Sequence, residues 1–394
     1  MTTRSLHIGP RIGPRIGVHG DTPPGPPPET TTLTVSIADT ADPVISAVNF
    51  AYSVIVTNTG GIDALLVVAT VTLDATLTFV SGVGTGWLVA ALGQVVTCTR
   101  ATLAVGVAPT ITISVTSADA ASTETTTADA IASNAAAAPQ DSETTVVNLV
   151  ARDATSLKRI PATLTQWQDW AAYHVLIGTP NFPNVVPANG WKLQEAAAPM
   201  IDFIGASNLT MSGVGLLFQQ PVVGWSTLAV STPDGQPNHN AQTTTAVDIS
   251  TTSALLLAYV RMPAIAPAAA RRLARMNSTG VMVNVSTAPV LQCVTQGAGG
   301  TTVNGVSNPT AAVRPLVIQI DRGGTRTRVF TDQEKIVGTV GTYATAVLNL
   351  GSSGGNSADA QYLYCVLLTA ASAELSEAQV KSFLQALDWT IPWS

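Results

Sequence analysis

The chain is punctuated by short runs of alternating apolar and polar residues, each closed by a turn signal about ten residues after the previous one. FAYSVIVTNTG (50–60) alternates clearly and ends in a turn, and LLVVATVTL, LTFVSG, QVVTCTRATL, PTITISVTS and TTVVNLVA follow in the same rhythm. Successive side chains on a strand point to opposite faces, so this period-two pattern suits strands buried on one side and rules out a helical body. The threonine and valine that fill these runs are β-branched and favour extended backbone. Many short strands at this spacing predict a β-sandwich from Leu33, where LTVSIAD begins, to about residue 150. Within it, residues 123–145 read either as a strand pair with small side chains or as a loose connection.

A boundary is expected near Arg152, and residues 151–394 form a second β-rich unit. Its strands are suggested by MIDFIG, VGLLFQQP, ALLLAYVRM, GVMVNVS, LVIQIDRG and TRVFTDQEKIVG, with the Gly-Gly of DRGGTRTR (321–328) marking a hairpin. Near the end, YLYCVLL gives way to a helix capped by Ser372 or Ser376, with Leu375, Val380, Phe383, Leu384 and Leu387 as its apolar stripe. TQWQDWAAYH (165–174) sets Trp167, Trp170 and Tyr173 along one helix face, where core packing is the expected fate. The fold class is therefore all-β: an extended arm (1–32), a first sandwich (33–150), then a second sandwich with a short C-terminal helix.

Ahead of the first strand lies a different kind of sequence. HIGPRIGPRIG (7–17) repeats itself, and Gly9, Pro10, Gly13 and Pro14 preclude a helix, while Pro23 to Pro28 suit polyproline II. Arg4, Arg11 and Arg15 alternate with Leu6, Ile8, Ile12 and Ile16. That pattern fits a peptide threaded through a partner's groove, its arginines paired with carboxylates there, because such a segment buries too little of itself to fold alone; the alternative is an arm packed against its own domain.

Composition narrows the function classes. Only 11% of residues are charged, which hints at a surface covered by neighbours, as in a homo-oligomer or a larger assembly. The formal charge of −6 argues against a nucleic-acid-binding body. No apolar run approaches the ~18 residues of a membrane-spanning helix. Cys98, Cys293 and Cys365 lie far apart and are expected to be buried thiols, neither a disulfide framework nor a zinc site. Residues 1–20 carry no secretory signal pattern, so assembly in the cytoplasm is expected if this is the native start.

Two resemblances follow from these motifs. YSVIVTNTG, TLTFVSGVGTGW, VTCTRATLAVG and PTITISVTS resemble, in order and spacing, the bacterial immunoglobulin-like repeat domain of the unknown-function type. Modules of that kind serve as stalks and spacers on bacterial surfaces and phage virions, which implies no chemistry. RVFTDQEKIVGT followed by LNLGSSGGNSADAQYLYCVLLTAASAELSEAQVKSFLQAL is similar to the end of a laminin-G-like, concanavalin A-like jelly roll. Asp332 stands where that family has a hairpin Asp, though Gln333 replaces the usual Gly. The resemblance implies sugars or calcium on loops at one rim. STPDGQPNHNAQ (231–242) is the candidate loop, with Asp234, Asn238, His239 and Asn240 as polar forks and Trp225 as the aromatic platform.

Catalysis is not expected. His7, His19, His174 and His239 have no metal-ligand spacing, and no paired-carboxylate strand, nucleophile elbow or phosphate loop occurs. Glu374 and Glu377 read as one solvated helical turn, and ARRLARM (270–276) as ordinary basic surface. Taken together, the arm and the two resemblances predict a non-enzymatic virion protein of a tailed phage, a capsid decoration protein or a fibre. Its partners would be capsid or tail proteins and host-surface glycans, with no cofactor. A bacterial surface or secreted adhesin is the alternative.

Overall fold

A computed structural model describes residues 30–393, apart from positions 198 and 206 and the stretches 213–215, 233–239, 244–250, 263–268, 277–280, 287–289, 296–300, 307–311, 340–347 and 352–359. The arm residues Arg4 to Ile16 and the loop residues Asp234, Asn238 and His239 lie outside the described residues. The described chain is all-β, with two sandwiches in series and two α-helices packed beside the second.

In the first sandwich one sheet runs, in spatial order, Leu33–Asp39, Asn49–Asn58, Ile111–Thr116 and Thr78–Gly84, with Gly106–Val107 beside the second. The facing sheet runs Val44–Ile45, Gln140–Asn148, Ser122–Ile131, Ala64–Thr72, Val95–Leu103 and Leu88–Leu92. Val44–Ile45 pairs parallel to its neighbour, and the other ladders are antiparallel. Alternation dictates the filling: Tyr52, Val54 and Val56 point inward from one strand and Val67, Ala69 and Val71 from another, all fully buried. The low-complexity stretch resolves as a strand pair, Thr125 opposite Thr144 and Asp129 opposite Gln140. Its small inward residues Ala128 and Ala130 let the facing sheet approach closely.

The second sandwich has a sheet ordered Leu217–Gln220, Ala229–Thr232, Ala360–Thr369, Ala254–Arg261, Val313–Asp321, Arg326–Phe330 and Lys335–Thr339, with Asn189–Lys192 also paired to Ala360–Thr369. Its partner sheet runs Leu209–Ser212, Asn240–Thr243, Leu348–Gly351, Arg271–Met276, Val281–Val285, Leu291–Thr295 and Thr302–Asn304. The run ALLLAYV is continuously apolar because its strand is covered on both faces. Leu256, Ala258 and Val260 face the partner sheet, while Leu255, Leu257 and Tyr259 face a layer made by helices α1 (Leu164–Leu176) and α2 (Glu377–Ala386).

Both helices are built as their sequences require. Thr163 caps α1, its hydroxyl accepting from Gln166 N at 3.1 Å. Ser376, the second of the two expected caps, forms a reciprocal capping box with Gln379 on α2. Trp167 and Trp170 meet Phe383 at ring-centroid distances of 6.0 and 5.4 Å, so the aromatic face of TQWQDWAAYH is core. The described helices include none long and apolar enough to cross a membrane.

Two sequence expectations change. MIDFIG was expected as a strand, yet Met200 and Asp202 make only isolated bridges. The Asp202 carboxylate accepts from the backbone N–H groups of Gly190, Ile204, Gly205 and Ser207, and this knot turns the chain instead of extending it. Glu374 and Glu377 are solvent-accessible, as expected, but do not share a helical turn. Glu374 lies before α2 and accepts the Ser253 hydroxyl at 2.6 Å, whereas Glu377 pairs with Lys335 at 2.7 Å.

Candidate functional site

The feature that most shapes the molecule is the junction between its sandwiches. No free linker separates them: one hydrophobic cluster runs from Val44, Ile45 and Val150 through Ile160 and Trp167 to Phe383 and Trp389. Through its middle passes Arg159, which is 2% exposed. Its Nη1 and Nη2 both donate to the Ser46 carbonyl of the first sandwich at 3.1 Å, and its Nε lies 3.2 Å from Asp388, just beyond α2. The backbone around it is pinned from the second sandwich, where Tyr259 Oη donates to the Arg159 carbonyl at 2.8 Å and Tyr364 Oη to that of Pro161 at 2.7 Å. Burial raises the Asp388 carboxyl despite the pull of Arg159, Arg152 and Lys158. Lys158 also donates to the Asp388 carbonyl and sits over the Trp389 ring.

A second knot holds the loop before Ala229–Thr232. Burial alone would raise the Asp153 carboxyl, but donors from Ser156, Ser226 and Thr227 outweigh it and hold the group far below the usual carboxylate range. Thr227 N donates to Asp153 Oδ2 at 2.6 Å and the Ser226 hydroxyl at 2.8 Å. This clamp fixes Trp225, whose half-buried ring meets Tyr259 at 5.8 Å and Trp389 at 6.1 Å. Trp225 is thus engaged at the junction and precedes a strand of one sheet, whereas Asn240 opens a strand of the other.

Beside the junction lies a groove of about 570 Å³ between the first sandwich and the end of α1. Phe50 and Tyr173 supply rings and Thr40, Asn49, Ser81 and Ser114 supply polar groups. Its described lining contains hydroxyl, amide and apolar groups and no carboxylate, imidazole or thiol. His174, nearby on α1, is committed to packing. Its Nδ1 lies 2.8 Å from Thr179 Oγ1, its ring stacks on Phe182, and burial with the Arg159 charge lowers its pKa to about 4. The thiols are inert for the same reason: burial pushes Cys98 up to about 11 and Cys293 up to about 12. Among the described residues no group of three or more His, Cys, Asp or Glu side chains is arranged to hold a metal.

Sequence reasoning missed other buried charges. Arg328 of the DRGGTRTR hairpin is 2% exposed, with Nη2 donating to the Leu375 carbonyl at 2.6 Å and to Asp321 at 3.2 Å. Asp332 accepts from Arg314 at 3.0 Å, so the hairpin Asp is an internal pair. Arg275 of ARRLARM is buried as well.

No family model matches the chain. No curated protein matches it by sequence. Among solved structures it is similar to the Trypanosoma rangeli sialidase in complex with the inhibitor DANA, at 9% identity and a TM-score of 0.40, over 66% of this chain and 42% of that one. It is also similar to the binding domain of botulinum neurotoxin DC in complex with rat synaptotagmin II, at 9% identity and a TM-score of 0.38, over 51% of this chain and 52% of that one. A cohesin module from a Clostridium perfringens family 33 glycoside hydrolase matches 31% of this chain over 98% of its own, at 14% identity and a TM-score of 0.24. At such scores no activity passes from those proteins to this one.

Proposed function

We propose that this protein is a non-enzymatic structural component of a bacteriophage virion, a capsid decoration protein or fibre. Residues 1–32 anchor it and the second sandwich faces outward. The observation that carries the reading is the fused junction: Arg159, buried between Ser46 and Asp388, makes the two sandwiches one stiff body behind an Arg–Ile arm. A spacer must transmit position from anchor to tip, and a packed, hydrogen-bonded joint does so where a Gly/Ser linker would not. Contacts in the particle's groove would offset the entropy of ordering the arm. Many copies on one particle would then multiply weak single-site binding of the outer sandwich to host-surface glycans. Residues 234–240 are the proposed glycan contact, and calcium belongs to the same proposal.

Immunogold labelling distinguishes this from the adhesin reading. An antibody against residues 30–393 should decorate intact phage particles and leave the envelope of uninfected cells bare. Envelope labelling without particle labelling would overturn the virion assignment in favour of the adhesin.

A further inference from the structure

Exposed strand edges invite pairing with other chains, and folded proteins blunt them with charge, brevity, bulges or cover. Most edges here are blunted. In the first sandwich, Val44–Ile45 is two residues long, Leu33–Asp39 is capped by Asp141 Oδ2 accepting from Ile37 N at 3.0 Å, and Thr78–Gly84 is bulged between Phe79 and Ser81. In the second, Leu217–Gln220 is irregular, Lys335–Thr339 opens on the Lys335–Glu377 ion pair, Leu209 bridges to Met200, and Thr302–Asn304 spans three residues.

Leu88–Leu92 lacks all of these guards. It pairs with Val95–Leu103 in unbroken register, Leu88 opposite Thr99 through Leu92 opposite Val95, and its other edge meets no strand among the described residues. No Asp, Glu, Lys, Arg or Pro occurs between Asp74 and Arg100. Leu88 is 73% exposed and Leu92 87%, on the same face as exposed Ala90. The strand reads LVAAL, nearly the same in both directions.

We propose that Leu88–Leu92 pairs antiparallel with the same strand of a second copy of this chain, across a two-fold axis at Ala90. The register follows from the sequence: Leu88 faces Leu92 of the second copy, and Ala90 faces its own counterpart. The two six-stranded sheets become one, with two apolar cross-strand pairs on the outer face. Charge does not oppose this occupant at this edge. Each copy carries a net −6, so self-association is opposed wherever acidic surfaces meet, and this edge brings no charges together. A five-residue ladder is smaller than the roughly 800 Å² per partner of a standard interface, so pairing is concentration-dependent in solution.

Sedimentation of the full chain over a roughly hundredfold concentration range should show a monomer–dimer equilibrium. L88K/L92K should weaken it at least about tenfold by setting like charges opposite each other, with an unchanged circular dichroism spectrum because both side chains are exposed. Mixing L88K/L92K with L88E/L92E should restore a heterodimer. Under oxidation A90C should cross-link to itself, L88C alone should not, and L88C mixed with L92C should, the three native cysteines being buried. A chain that stays monomeric throughout would overturn the proposal, as would a dimer indifferent to both charge pairs or cross-links that ignore this register.

Discussion

At the scale of single residues, the buried charge of Arg159 ties the two sandwiches together. Arg159→Ala would leave the Ser46 carbonyl and the Asp388 carboxylate without their partner inside the junction. Loss of one member of a buried pair costs about 3 kcal/mol, read as a fall in the urea midpoint, while Asp388→Asn should cost less because its side chain is a third exposed. His174 gives a pH signature. Its pKa falls from 6.5 when unfolded to about 4 when folded, so the unfolded state binds the extra proton. Stability is therefore complete above about pH 6.5, is lost as pH falls towards 4 by on the order of 3 kcal/mol, and is insensitive to this group below that. Thermal unfolding between pH 4 and 7 should show the slope in the parent protein and a flattened one in His174→Gln. The Asp153 carboxyl, held low, contributes fully above the ordinary carboxylate value of 3.8 and loses that contribution as pH falls below it, on the acid side of the His174 window. Neither role was legible in the sequence. Arg159 sits in no motif, and its acceptor Ser46 lies 113 positions away.

Among the elements, those whose cause is local could be read directly. The first sandwich's strands follow from alternation, and α2 follows from Ser376 and an apolar stripe. Ser376→Ala should cost about 1 kcal/mol in chemical unfolding by removing one side of the capping box. Trp167→Ala should cost about 3–5 kcal/mol, because the ring is fully buried against Trp170 and Phe383 and its Nε1 donates to Tyr364 Oη at 2.9 Å. Elements whose cause is a distant partner were misread. MIDFIG carries a strand's composition, but Asp202 collects four backbone donors and bends it, which composition does not reveal. Trp225 looked like a free platform beside a polar loop. Its ring is occupied by Tyr259 and Trp389, contributed from 34 and 164 positions further along.

For the molecule as a whole, the two sandwiches share one hydrophobic cluster, and the proposed anchor is the N-terminal stretch 1–32. The all-β class and the serial arrangement were visible in the spacing of strands and turns. The fusion of the two units was not, because it depends on a helical layer shared by both. The most direct measurement is co-sedimentation of the protein with phage particles after deletion of residues 1–20. The account predicts that the intact chain pellets with particles, and that the truncated chain, folded as judged by circular dichroism, stays in the supernatant. Undiminished pelleting of the truncated chain would contradict the anchoring role of the arm.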